Sequence, residues 1–231
     1  IINASRFSVF FLDEDQRVTL RDIGSEDLIK KYANELGAGI YLFELDSQFR
    51  CNGSDGYLAW LDRILEIRDT ANLDIDGFDY DFRVLDDPNE LRKLIEEKNR
   101  LNNKSRIVAG YCWEWPKGSS RNNTNYHEIQ ISEKNFEMSW NLEAGESFAI
   151  GSTSVNEVGC IHTVQGLEFD YIGVIIGNDM RYENEHVVTD YRKRAKSDSS
   201  LKGINKIAKE QGQETADEIA GKIIKNTYRT L

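Results

Sequence analysis

Gly159-Cys160-Ile161-His162-Thr163-Val164-Gln165-Gly166-Leu167-Glu168-Phe169-Asp170 is a compact polar loop set between apolar runs at 158–162 and 171–176. The second run, Tyr171-Ile172-Gly173-Val174-Ile175-Ile176, is rich in β-branched residues and lacks the polar alternation of a half-exposed strand. Continuous apolar runs of this length read as strands buried on both faces, the habit of parallel sheets. Gly166 permits a tight backbone turn. Glu168 projects a carboxylate acceptor, and His162 and Thr163 supply donors at a strand end. For His162, a satisfied half-buried ring and a ligand are equally good readings.

The same alternation extends toward the N-terminus. Apolar runs at 7–12, 40–45, 82–85 and 106–111 read as further strands. Between them lie helices. Ser25 followed by Glu26 and Asp27 marks a helix start with acids in its first turn, and Gly37 marks its end. Tyr57, Leu58, Leu61, Ile64 and Leu65 fall at helical spacing. Asp87-Pro88 opens a helix that carries Leu91, Leu94 and Ile95 on one face. A β excursion is expected over 129–150, a charged insertion over 178–200, and two closing helices over 201–210 and 214–228. Strands alternating with helices predict an α/β domain whose parallel sheet is covered on both faces.

Composition limits the function classes. The 231 residues have room for one large α/β domain, or one domain and a fragment of another. Hydrophobic residues at 39% supply a core, and no apolar run of about 18 residues exists to span a membrane. The N-terminus lacks a signal-peptide pattern, so a cytoplasmic location is expected. The cysteines Cys51, Cys112 and Cys160 have no zinc spacing and read as free thiols in a reducing compartment. A net charge of -11 disfavours general polyanion binding. A local patch can still contact phosphates, and Arg192, Lys193, Arg194, Lys196, Lys202, Lys206 and Lys209 form the one basic concentration. The plainer reading of that run is a solvated helix face and loop.

Two further clusters follow predicted strands, where open α/β sheets bind ligands. Asp13-Glu14-Asp15-Gln16 ends in an amide suited to sensing a phosphate or orienting a water. Asp46-Ser47-Gln48-Phe49-Arg50 places a guanidinium able to fork onto phosphate oxygens. Each on its own also reads as an ordinary polar turn.

Together these stretches resemble a known family. His162-Thr163-Val164-Gln165-Gly166-Leu167-Glu168 resembles motif V of superfamily 1 helicases. Leu12-Asp13-Glu14-Asp15-Gln16 resembles motif III, and Gln48-Phe49-Arg50 resembles motif IV. Ser47 to Trp60, with Ala109-Gly110-Tyr111-Cys112-Trp113, is similar to a bacterial group described as schlafen-like DNA/RNA helicase domains. The resemblance covers nearly the whole chain. It implies a P-loop NTPase or RecA-like fold, with 1–37 a remnant of a first RecA-like domain and 38–231 an incomplete second one. It implies that Gln16 contacts the γ-phosphate and that Arg50 is an arginine finger. It implies that Glu168 holds the nucleotide ribose, with Gly166 and Leu167 shaping the turn, and that His162 and Thr163 lie near the nucleic-acid path.

Departures from the family are informative. The chain has no GxxxxGK[ST] and no Walker-type acidic pair, and the residues after Asn226-Thr227-Tyr228 stop short of motif VI. A truncated second helicase domain is therefore expected. ATP with Mg2+ is the cofactor expected of the whole protein, and this segment alone is expected to be inactive and to hold no nucleotide tightly. No resident metal is expected. The expected partners are DNA or RNA and the rest of the same polypeptide, and the orphan strand 7–12 is expected either to pack along the remaining sheet or to pair with a second copy, since an apolar edge invites association. The alternative is a helicase-fold module without catalysis that docks nucleic acid or protein. Trp113, Trp115 and Trp140 suit base stacking in either case, although tryptophans beside strands more often belong to the core. A nuclease is disfavoured because no paired acids with a lysine fall on consecutive strands.

Overall fold

A computed structural model describes residues 1–22, 24–44, 55–75, 77, 80–115, 123, 125–142 and 147–231. Its first helices are α1 (Glu26–Glu35), α2 (Asp55–Ile64) and α3 (Pro88–Asn102). Both predicted helix starts are made by the expected chemistry. Ser25 Oγ accepts the Leu28 amide of α1 at 3.2 Å, and Asp87 Oδ1 accepts the Asn89 amide of α3 at 2.9 Å. α3 ends at Asn103, whose φ of 59° is the left-handed conformation that stops helices.

The strands β1 (Ser105–Ala109), β2 (Ile129–Ile131), β3 (Phe136–Trp140), β4 (Glu157–Gly159) and β5 (Tyr171–Ile175) form one sheet in the order β2-β3-β4-β1-β5. All pairings are parallel except β2 with β3, which supplies the predicted β excursion. The molecule is thus mixed α/β with a mainly parallel central sheet. β1 shows why. Ile107 and Ala109 join a core with Ile95 of α3, whereas Val108 between them joins Phe148 on the opposite face. Both faces are covered, so an alternating strand would have buried polar groups. Full burial of a side chain such as Ile107 stabilises by about 1.5–3 kcal/mol.

The remaining elements are α4 (Ile161–Val164), the hairpin β6 (Met180–Glu183) and β7 (His186–Thr189), and the helices α5 (Ile204–Gln211) and α6 (Gln213–Thr230). The hairpin occupies the predicted charged insertion. Its two-residue turn is Asn184-Glu185, both at positive φ as such turns demand. Ile224 and Tyr228 of α6 pack with Met180 of β6, Leu65 after α2 and Val174 of β5.

Several expected strands are not strands. Residues 7–12, 40–44 and 82–85 are irregular backbone, and position 45 lies outside the described residues. Phe7 and Phe43 are each 91% exposed and Val84 is 83% exposed. Apolar composition alone does not make a strand. Its amides and carbonyls need a neighbouring ladder, and among the described residues no strand lies beside these runs. The run 7–12 therefore does not join the sheet, and the motif III element is not a strand here. The expected strand 158–162 is also shorter, because the chain turns into α4 after Gly159.

A buried ionic node fastens α2 to α6. Asp62 is fully buried and receives the guanidinium groups of Arg229 and Arg68. Burial pushes its carboxyl pKa up, but hydrogen bonds and charge from the two arginines outweigh that and hold it below the ordinary value. Asp62→Asn leaves Arg229 largely buried without its counter-charge, and is expected to cost about 3–5 kcal/mol at neutral pH. The contribution is complete above the ordinary carboxylate pKa of about 3.9 and is lost as pH falls through the lower folded value. Urea midpoints of the parent and Asp62→Asn proteins should therefore differ at pH 7 and converge in acid. A gap that persists unchanged into acid would show that the carboxylate charge is not the cause.

Candidate functional site

The loop between β4 and β5 is held from both ends. After Gly159 the chain makes the single turn α4, closed by the Thr163 amide to the Cys160 carbonyl at 2.9 Å and the Gln165 amide to the Ile161 carbonyl at 2.8 Å. Ile161 and Val164 point into the core, at 0% and 5% exposure, so His162 between them faces solvent. Gly166 then adopts φ +85°. A Cβ there would meet open space, so the left-handed backbone and not crowding is what calls for glycine. Leu167 donates its amide back to the Val164 carbonyl at 2.9 Å and leaves its side chain 45% exposed. Glu168 is exposed and has no hydrogen-bond or ion-pair partner among the described residues. Phe169 anchors the exit against Phe148, ring to ring at 6.3 Å.

Chemically, this turn presents an uncommitted carboxylate on the return toward β5, two residues before Asp170 donates its amide to the Lys104 carbonyl at 2.9 Å. It suits donors such as the hydroxyls of a sugar. Among the described residues no glycine-rich loop cradles phosphates, and no group of three or more His, Cys, Asp or Glu side chains is arranged to hold a metal ion. No helix among them is long and apolar enough to cross a membrane.

The other predicted site residues are distributed differently. Thr163 is 6% exposed, and its hydroxyl is taken by Asn141 Oδ1 and by Cys160 Sγ at 3.1 Å. It steadies the loop from within. Gln16 closes a 3-10 turn, Glu14–Gln16, and donates from Nε2 to Asp13 Oδ2 at 2.6 Å. No hydrogen bond or ion pair joins it to the loop at 162–168. Arg50, with the rest of its cluster at 45–54, lies outside the described residues. The loop residues are thus brought together, and Gln16 is not brought to them.

Two features beside the loop were less legible. One is an aromatic cleft of about 100 Å³. Trp140 forms its floor, with Tyr111 and Trp115 rings 5.5 and 5.1 Å away, and His162 forms a wall 6.0 Å from Tyr111. Burial raises the Tyr111 pKa, and neighbouring Cys160 raises it further, so the phenol stays neutral. Trp140 is 2% exposed and belongs to the core, while Trp115 is only partly buried.

The other feature is a buried polar node under the same cleft. Arg194 lies 3.1 Å from Asp198 Oδ2 and 3.4 Å from Asp179 Oδ2, and reaches Ser200 Oγ at 3.2 Å. Tyr228 of α6 donates to Asp179 Oδ1 at 2.6 Å. Arg194 is 7% exposed, so the basic run is not simply a solvated face. Sequence shows little sign of this: Asp198 is four residues from Arg194, but Asp179 reaches it from across the β6–β7 hairpin. Cys112 is pushed up to about 12 by burial and by Asp179, which leaves a neutral, unreactive thiol. Cys112 and Cys160 are both free, as expected.

All of the chain, residues 1–231, matches the family described as Schlafen group 3, DNA/RNA helicase domain. The chain belongs to that family. One relative is an uncharacterized protein of Saccharomyces cerevisiae, 22% identical over 204 residues. The match covers 82% of this chain and 42% of the relative, so the chain spans less than half the length of that protein. No solved structure matches. Membership makes this a helicase-like domain, and it gives the motif V resemblance a family context.

Proposed function

We propose that this schlafen group 3 domain supplies the second-domain side of an ATP site in a helicase or translocase. The observation that carries the reading is the loop at 165–168. Its backbone is fixed by buried Ile161 and Val164, and its carboxylate, Glu168, is left exposed and unpaired among the described residues. A surface carboxylate without a salt-bridge partner on a preorganised turn is suited to ribose hydroxyls. In this reading the fold is RecA-like, Glu168 contacts the ribose, and Arg50 reaches the transferring phosphoryl group. The phosphate-cradling loop and Mg2+ site are supplied by residues outside this chain. His162 faces the nucleic-acid path, and Thr163 holds the loop that carries it.

The test is ATP hydrolysis by the whole polypeptide with and without single-stranded DNA or RNA. Hydrolysis stimulated by a single strand is expected. Glu168→Ala is expected to raise the KM for ATP about tenfold with a smaller change in kcat, since a lost ribose hydrogen bond to a charged group costs about 1.5–3 kcal/mol. Absence of hydrolysis in the whole polypeptide would replace this reading with that of a docking module.

A further inference from the structure

We propose that the cleft bounded by Tyr111, Trp115, Trp140 and His162 is a site for one unpaired nucleobase of a single-stranded nucleic acid. The proposal deepens the helicase reading, because it locates a contact on the strand's path. Its shape and chemistry fit a base. Trp140 closes the bottom at 2% exposure, and the partly exposed Tyr111 and Trp115 offer ring faces around it. One wall is His162, on the exposed side of α4. The opposite wall is the turn at 197–199, whose exposed serines put hydroxyls at the rim. Aromatic faces with polar groups at the edge are what a planar heterocycle with donors and acceptors requires.

The site is built and not an accident of the surface. Glu114 accepts the amides of Lys196 and Ser197 at 2.7 and 3.2 Å, and Ser197 Oγ accepts the Trp115 amide at 2.9 Å. These bonds hold the turn over the aromatic floor. Below, Arg194 lies 5.3 Å from the Tyr111 ring centre and pairs with Asp198. The carboxylate that lines the cleft is therefore charge-compensated, and repels an incoming phosphate less.

Charge selects the source of the base. In a chain of net charge -11, the segment 192–202 carries five cations; Arg192 pairs with Asp190 and the buried Arg194 with Asp179 and Asp198, which leaves Lys193, Lys196 and Lys202 without a salt bridge among the described residues. Lys193, Lys196 and Lys202 are exposed beside the cleft wall. A strand threading the cleft would leave phosphates on either side of the stacked base within reach of such cations. A free adenine nucleotide would use the base pocket with only one phosphate arm, so the single strand is the better occupant.

The experiment is binding of oligo(dT) and oligo(rU) to the whole polypeptide, read by tryptophan quenching and by fluorescence anisotropy of a labelled strand. Trp115→Ala is expected to weaken binding about tenfold, the usual scale for one lost stacking partner. Trp115 also packs on Trp140, so Ser199→Phe is the second variant. It fills the cleft from an exposed position and is expected to weaken binding similarly. A strand carrying a photoreactive uracil should crosslink to Tyr111 or Trp115. Unchanged affinity in both variants, or crosslinks confined to other regions, would overturn the proposal. Quenching by ATP alone that is abolished by Ser199→Phe, with strand binding intact, would overturn it in favour of an adenine pocket. Stimulated ATP hydrolysis with unaltered strand binding in both variants sinks the cleft and leaves the helicase reading. Weakened strand binding in a polypeptide that hydrolyses no ATP does the reverse.

Discussion

Arg50→Ala in the whole polypeptide is expected to lower single-strand-stimulated ATP hydrolysis by about 10³-fold or more, with nucleotide affinity retained. The expectation rests on what a guanidinium supplies to phosphoryl transfer. A guanidinium brought to the γ-phosphate neutralises charge that develops only as the phosphoryl group transfers. Its loss therefore falls on kcat and spares ground-state binding. Lysine is a poor substitute, because a point charge cannot fork onto two equatorial oxygens. Arg50→Lys should recover little of the rate. The Glu168 prediction has the opposite signature, a change mainly in KM. The two variants together separate a transition-state contact from a ribose contact. A rate within about threefold of the parent after Arg50→Ala would remove Arg50 from the finger role and leave the motif IV resemblance without a catalytic meaning.

Sequence disclosed the parts of this molecule that depend on neighbours a few residues apart. The caps at Ser25 and Asp87, the double-faced burial of β1 and β5, and the turn at Gly166 are local consequences of residue type. What it misread has a common cause. The runs 7–12, 40–44 and 82–85 have strand composition, but a strand also needs a ladder partner, which composition cannot report. Phe82 shows the alternative use of such residues. It meets Trp60 of α2 edge-on at 4.9 Å, while Tyr80 stacks on Tyr57 at 3.9 Å. The segment is thus bound to a helix through rings and not to a sheet through amides. The ionic nodes were illegible for a related reason. Asp62 and Arg229 are 167 positions apart, and nothing in either neighbourhood signals a buried pair. Arg194 was visible only as one cation among several. The candidate site divides the same way. The loop at 162–168 was readable as a motif, whereas the cleft needed Tyr111, Trp140 and His162 to be assembled from three different strand ends.

Arg106→Leu is expected to abolish cooperative folding, the largest stability effect in the molecule. Arg106 sits on β1, between β4 and β5 in the sheet, at 0% exposure. Its Nε donates to the Phe148 carbonyl at 2.9 Å and to Ser154 Oγ at 3.0 Å. Its Nη1 donates to Asn99 Oδ1 and the Ser105 carbonyl, both at 2.8 Å. Its Nη2 donates to the Ala149 and Gly151 carbonyls at 3.1 and 2.9 Å. One planar fork thereby ties the sheet to the end of α3 and to the turn at 147–151. Leucine fills much of the volume but strands several buried acceptors, each costing about 1–3 kcal/mol. Three or four of them together cost about 3–12 kcal/mol, comparable with the whole stability of a domain, about 5–15 kcal/mol. Arg106→Lys keeps the charge and three donors without the fork, and is expected to fold with a stability lower by about 3–5 kcal/mol. Soluble yield and thermal midpoints of the two variants check this, and a midpoint for Arg106→Leu within a few degrees of the parent would refute it. The consequence reaches the site. The turn that Arg106 holds carries Phe148, which packs against Val164 and Phe169 at the two ends of the candidate loop. Phe148 also lies so close to Gly159 that a Cβ there would meet its ring at 2.6 Å. In the lysine variant, loosening of this turn should therefore appear first as faster amide exchange at 165–168, before β5 or α6 is affected. Faster exchange spread evenly over the sheet would mean that Arg106 supports the fold without any special claim on the loop.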